Sequence, residues 1–318
     1  KAVSRYDLLL RQRLWEDALV SMDVRGGWGD GLDPADRLGL FANTDQYAQT
    51  GQDIFILHLY LQQQLLDDQL TLRAGKFDIG DWIDTNRYGF YNFLGYSFAH
   101  NSTIPLTGNT LGAMATYEPA HAQWLYLSGG FSNSAQTPFE TGLSSTFGSK
   151  DDEWLAIAEV GFRPEFAGHK GVYRFTAWHN TRDFATTGGT LDQGATGISL
   201  SFDQDLTRRL GLFLRFGFAE GDPFEPERYY SAGLHVKEPL PGRREDSFAV
   251  GVVVNEFTSD RAAALPDAED VETYLEVYYN VHLTEWMQLQ PVVQVIDNPG
   301  GRDRDTAVIL GAHVALRF

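Results

Sequence analysis

Ala307-Val308-Ile309-Leu310-Gly311-Ala312-His313-Val314-Ala315-Leu316-Arg317-Phe318 are the last twelve residues, and their reading decides the fold. Taken in twos, Val308, Leu310, Ala312, Val314, Leu316 and Phe318 make an unbroken apolar row. Ile309, Gly311, His313, Ala315 and Arg317 make a mixed one. A strand apolar on one side, polar on the other and ending on Phe looks like the closing strand of a bacterial outer-membrane barrel. There the apolar row meets lipid and the polar row an aqueous lumen. The alternative is an edge strand of a soluble β-domain.

Composition moves the balance toward the membrane. The 318 residues suffice for two soluble domains or one large barrel. Mean hydropathy is -0.28, and no apolar run approaches the roughly 20 residues of a membrane helix. The 32 Gly, 21 Phe, 14 Tyr and 7 Trp suit many strands with tight bends and interfacial aromatic girdles. With no Cys, neither a disulfide framework nor a thiolate metal site is available. A formal charge of -18 argues against nucleic acid, whose phosphates it would repel.

Alternation with period two recurs along the chain, and long helical periodicity is hard to find. Leu210, Leu212, Leu214, Phe216 and Phe218 stand opposite Gly211, Phe213, Arg215 and Gly217. Thr273, Leu275, Val277, Tyr279 and Val281 oppose Tyr274, Glu276, Tyr278, Asn280 and His282. About 15 such segments of tilted-crossing length are visible. They lie near 4–14, 17–28, 53–65, 68–79, 109–118, 123–132, 152–163, 170–181, 194–205, 208–219, 228–236, 245–256, 271–284, 286–297 and 304–318. Short turns alternate with longer loops near 29–52, 80–108, 133–151, 181–193, 220–227, 257–270 and 297–303. That is the outer-membrane pattern of short periplasmic turns and long external loops. The fold expected is all-β: one antiparallel transmembrane β-barrel over residues 1–318, of about 16 strands. Because the first and last visible strands run the same way, the first strand of the barrel is expected upstream of Lys1, in a chain processed or truncated at that end.

Three matches carry a family resemblance. The strongest is Glu272-Thr273-Tyr274-Leu275-Glu276-Val277-Tyr278-Tyr279-Asn280-Val281-His282-Leu283-Thr284-Glu285-Trp286 continuing to Asn298-Pro299-Gly300-Gly301. The others are Leu72-Arg73-Ala74-Gly75-Lys76-Phe77-Asp78 with Asn101 to Pro105, and Leu111-Gly112-Ala113 through Tyr117-Glu118-Pro119. Together they resemble the carbohydrate-selective porins of the OprB family, in order, from about residue 53 to the end. The resemblance implies a passive outer-membrane pore for sugars, with no catalytic step and no energy coupling.

A pore for neutral sugars needs charged or amide groups for hydroxyls and aromatic rings for C–H faces, binding weakly enough for release. Alternation points Arg73, Arg174, Arg209, Arg215, Asp23, Arg25, Glu159 and Glu276 inward, with Trp124, Tyr126, Trp178, Tyr274 and Tyr278 supplying rings. Taken singly, each is more simply a lumen charge that hydrates the pore. As a set beside acidic partners, the Arg residues read as a constriction. The loop from Gly80 to Asn109 carries Trp82, Tyr88, Phe90, Tyr91, Phe93, Tyr96, Phe98 and His100. It either folds inward to narrow the channel or packs on the outer rim. The acidic loops Asp30 to Asp36 and Asp260 to Asp270 read as solvated tips, with divalent cations bridging lipopolysaccharide as the alternative.

No cofactor or metal is expected, since the eight His are scattered singly. Expected partners are outer-membrane lipid and lipopolysaccharide, small sugars, and the barrel-assembly machinery reading the strand that ends at Phe318; monomer and homotrimer both stay open. Three rivals rank behind the sugar porin. They are an anion or anionic-polysaccharide export channel, a barrel-embedded hydrolase, and a plugged structural barrel. Against the hydrolase stands the absence of any Gly-x-Ser-x-Gly elbow.

Overall fold

A computed structural model describes residues 2–29, 54–90, 92–134, 153–185, 191–220, 225–258, 261 and 265–318. The strands are β1 (Ser4–Trp15), β2 (Ala18–Trp28), β3 (Phe55–Leu65), β4 (Leu70–Asp78), β5 (Asn109–Tyr117), β6 (Leu125–Asn133), β7 (Trp154–Phe162) and β8 (Glu165–Phe166). They continue with β9 (His169–Ala185), β10 (Leu191–Asp205), β11 (Leu210–Glu220), β12 (Arg228–Lys237), β13 (Ser247–Glu256), β14 (Val271–Thr284), β15 (Met287–Asp297) and β16 (Ala307–Leu316). Every strand but β8 pairs with its sequence neighbour in one continuous path; β8 is a two-residue flap on the start of β9. No helix among the described residues is long and apolar enough to cross a membrane.

Each pairing on the path is antiparallel, so its two ends, β1 and β16, run in the same direction. Among the described residues the sheet is not closed between them. Two boundaries differ from the sequence reading. Expected as part of a long loop over 181–193, residues 181–185 and 191–193 are strand, because β9 continues to Ala185 and β10 begins at Leu191. The turn at 164–169 contains β8. Local slips of the ladder, such as that at Asp23/Val24 and Gln193/Ala195, mark irregularities that period two cannot anticipate.

The two faces of the sheet are as different as the alternation requires. Along β11, Gly211, Phe213, Arg215, Gly217 and Ala219 are buried while Leu214 is 47% exposed. Along β16, Val308, Leu310, Val314 and Leu316 are all at least half exposed. Such rows facing water would be an aggregation surface; in a bilayer they are the lipid contact. Exposed rings gather near the short turns: Trp15, Trp124, Phe162, Phe166, Trp286 and Phe318. Phe318 stacks on Trp286 with centroids 6.3 Å apart, in the interfacial position where amphipathic rings settle.

Candidate constriction on the concave face

Residues 79–90 and 92–108, between β4 and β5, lie against the inner face of the sheet. The segment opens with one 3-10 turn (Ile79–Asp81), which the Asp78 carboxylate caps through Gly80 N–H at 2.9 Å. It carries a one-turn helix at Tyr96–Ala99. Its partners sit on strands far apart in the sheet, so the wall curves round it. Glu159 on β7 accepts Asp84 N–H at 2.7 Å. Asn86 donates to Ser201 on β10 at 3.2 Å, and Tyr229 on β12 to the Ser97 carbonyl at 2.6 Å. Gln290 on β15 donates to the Asn92 carbonyl at 2.8 Å.

Two side chains grip the segment hardest. Arg215 is fully buried and ion-pairs with the Asp84 carboxylate. It also donates to the carbonyls of Asp84 at 2.8 Å, Phe98 at 2.9 Å and Ala99 at 3.2 Å. Ser199 completes Asp84 with a 2.8 Å hydrogen bond. Glu276 accepts Leu94 N–H at 2.6 Å and Gly95 N–H at 2.8 Å, while Gln294 and Tyr274 donate to the same carboxylate. A carboxylate taking several N–H groups and a guanidinium spread over carbonyls are the strong, charge-assisted way to fix a loop backbone. Burial and the Arg215 charge push the His100 imidazole down to about 3, so it stays neutral around pH 7.

Apolar packing completes the seat. Tyr88, Phe93 and Phe98 join Phe213, Tyr229, Tyr274, Tyr278 and Val292 in one buried cluster. Phe93 stacks on Phe98 at 4.1 Å and meets Tyr278 edge-on at 5.1 Å. Ile79, Ile83 and Ile104 join a second cluster with Phe77, Leu155, Ile157 and Trp178. Glycines on the inner face make the room. A Cβ at Gly251 would lie 2.6 Å from Phe98 and 2.8 Å from Phe93, and one at Gly217 would overlap Thr103 and Asn101.

The sequence-derived residues therefore separate. Arg215, Glu159, Glu276, Tyr274 and Tyr278 touch the segment or its cluster. Arg174 faces inward but pairs with Asp203 at 2.8 Å; Trp178 lies in the second cluster. Arg209 departs from expectation. It precedes β11 at the short-turn rim, 65% exposed and paired with Glu238 at 2.7 Å, so it lies outside any constriction. Trp124 also departs: it falls before β6, where the alternation no longer holds, and stacks on the outward Phe162 at 6.1 Å. Of the loop rings, Tyr88 and Phe93 are buried, Phe90 meets His100 edge-on at 5.4 Å, and Tyr96 leans on His100 at 4.4 Å. Tyr91 and Asp30 to Asp36 lie outside the described residues.

Opposite these anchors, β1–β4 present polar side chains that the segment leaves partly accessible. Arg25 pairs with Asp7 at 2.5 Å, and Arg5 with Asp7 at 3.1 Å; Asp23 is the neighbour of Arg25 on the same face. Arg11 and Arg13 extend this face toward the short turns. On β3 and β4, Arg73 donates to the Gln62 amide oxygen at 2.9 Å and sits 4.8 Å over the half-buried Trp82 ring. His58 and Asp81 are 3.3 Å apart beside it. Arg5, Arg11, Arg13, Gln62 and His58 were not among the sequence candidates, although the same alternation places them inward.

On the long-loop side, Asn298, Gly300 and Gly301 adopt positive φ of 48°, 76° and 60°. Gly300 N–H donates to Glu272 at 2.6 Å, and its carbonyl accepts from Arg261 at 2.5 Å. The Asn-Pro-Gly-Gly turn is thereby tied to the preceding loop.

A curved antiparallel wall, an apolar outside and an inward segment make a porin-like pore, and a family model decides which kind. The model for carbohydrate-selective porins, OprB family, matches residues 34–318. The chain belongs to that family. Porins of this family are outer-membrane proteins of bacteria, and this one is a sugar porin of the outer membrane. Porin B of Pseudomonas aeruginosa is 23% identical over 89% of the chain and 72% of its own length. Porin AaxA of Chlamydia pneumoniae is 21% identical over 90% of the chain, which spans 64% of that protein. The high-pH structure of Pseudomonas putida OprB superposes with a TM-score of 0.83 at 19% identity, covering 99% of this chain and 87% of that one.

Proposed function

We propose that sugars cross this porin between the anchored segment 79–108 and the wall of β1–β4, with Trp82, Arg73 and Gln62 as the contact that selects them. The observation that carries this reading is the half-buried Trp82 ring with the Arg73 guanidinium at 4.8 Å and the Gln62 amide bonded to it. A ring takes the C–H face of a sugar, and guanidinium and amide take paired hydroxyls at its edge. The residues of the set that bind the segment shape the passage. Arg25, Asp23 and Asp7 line it.

Trp82→Ala should raise the sugar concentration that half-blocks ion current about tenfold, the loss of about 1.4 kcal/mol of ring contact. Ion conductance should stay near the parent value, and Trp82→Phe should recover part of the affinity. Unchanged sugar block in Trp82→Ala would remove this contact from the reading.

An anion-conducting reading has one observation in its favour: Arg5, Arg11, Arg13 and Arg25 outnumber Asp7 and Asp23 on the inner face of β1 and β2. Reversal potential across a KCl gradient separates the two, since a balanced sugar path leaves it near zero. The chain acts as one barrel domain and a passive channel without chemistry of its own. Lipid and lipopolysaccharide bathe its outer rows, as a monomer or a homotrimer. The C-terminal strand serves as its assembly signal. Removing Phe318 should cut the heat-resistant folded fraction in outer membranes severalfold while leaving refolding in detergent intact; equal folded fractions would exclude that role.

A further inference from the structure

The strand register aligns a second polar surface on the inner face, beyond the anchored segment toward the short turns. Ser247 on β13 stands opposite Asn280 on β14, and Gln290 on β15 opposite His313 on β16. The pairing of Val281 with Leu289 brings Asn280 and Gln290 side by side. One lateral row of hydroxyl, amide, amide and imidazole thus crosses four neighbouring strands. One step nearer the turns, His282 and Gln288 face each other with ring and amide nitrogens 2.5 Å apart. Gln290 touches the segment through its bond to the Asn92 carbonyl, so the row begins where the constriction ends. Lys237, opposite Ser247, is the charge at its far end.

Asn280 Oδ1 and His282 Nδ1 are buried without a hydrogen-bond partner. Ser247, Asn280, His282, Gln288 and His313 each keep part of the residue accessible, while those two atoms are covered. Buried polar atoms on an inner wall cost free energy unless something bonds them. Planar amides and imidazoles offer donors and acceptors at the spacing of neighbouring hydroxyls, without the charge that holds ions. This contrasts with the arginine-rich face of β1 and β2.

We propose that this row is a second, uncharged sugar-binding shelf that receives the sugar after the Trp82 contact, on the short-turn side. It rests on the sugar reading above and adds a second step to it. Two weak sites in series let a solute leave the narrow point without binding tightly at either.

The test is glucose and maltose block of single pores in planar bilayers, with sugar added to one compartment at a time. The mouths are assigned by the side on which protease clips the long loops. Asn280→Leu should raise the half-blocking concentration about fivefold for sugar added at the short-turn mouth, the loss of about 1 kcal/mol of hydrogen bonding. Block from the long-loop mouth and ion conductance should hold. Asn280→Gln, which keeps the amide, should lie between parent and Asn280→Leu. Equal short-turn block in the parent and in Asn280→Leu overturns the shelf and leaves the Trp82 contact standing, as does a parent pore blocked only from the long-loop side. A parent pore indifferent to sugar from both sides overturns the sugar path and the shelf with it.

Discussion

Arg215→Met is expected to raise single-pore ion conductance at least about twofold and to weaken sugar block, while the barrel still folds. The side chain is fully buried, and it bonds the segment at the Asp84 carboxylate and the carbonyls of Asp84, Phe98 and Ala99, with the Tyr229 ring of β12 5.8 Å away. Met keeps most of the volume and removes all the donors. Asp84 then loses its counter-charge and retains Ser199. Breaking one side of a buried pair costs about 3–5 kcal/mol, and here the cheaper response is for the segment to lift off the wall. The sheet has its own ladders on both sides of β11 and has no reason to come apart. Heat-modifiable migration on gels checks folding; conductance checks the segment. A folded Arg215→Met barrel with parental conductance would mean that Arg215 is dispensable for holding it. The double variant Arg215→Met/Asp84→Leu removes the stranded charge. It should regain stability without regaining parental conductance, because the Phe98 and Ala99 carbonyls still lack their donor.

What sequence made legible follows from what alternation measures. A row of Leu, Phe and Val at every second position reports which side meets lipid, and β11, β14 and β16 read correctly residue by residue. The same parity pointed Arg215, Glu276 and Glu159 inward. It was silent on what they would meet there. Arg215 finds Asp84 across 131 positions of sequence, and Glu276 finds Leu94 across 182. A charge facing water and a charge clamping a loop have the same spacing. Alternation also stops where the ladder stops, which is why Trp124, before β6, points outward and Arg209, before β11, sits at the rim. The glycine surplus was read as tight bends. Gly217 and Gly251 instead clear space for Asn101 and for Phe93 with Phe98. That signal was present in the sequence, as small residues at inward positions facing a ring-rich loop, but it needed the register to be seen.

Replacing residues 88–98 with a short Gly/Ser linker should have the largest effect of any change here. The replaced stretch contains Tyr88, Phe93 and Phe98 of the inner cluster and the Leu94 and Gly95 N–H groups that Glu276 holds. Burial of each ring contributes about 2–3 kcal/mol to seating the segment, so its removal abolishes the seat rather than loosening it. The barrel itself is held by the ladders of neighbouring strands, and Glu276 keeps Tyr274 and Gln294 as partners. A folded, wider pore is therefore expected, with conductance up severalfold and sugar block nearly lost. Sugar would then pass without being pressed against Trp82. The two effects are coupled by geometry: conductance measures the gap the segment leaves, and sugar block measures contact across that gap. If conductance rises and sugar block persists, Trp82 and Arg73 bind sugar without confinement. If neither moves, segment 88–98 does not narrow the path and the constriction lies elsewhere on the wall.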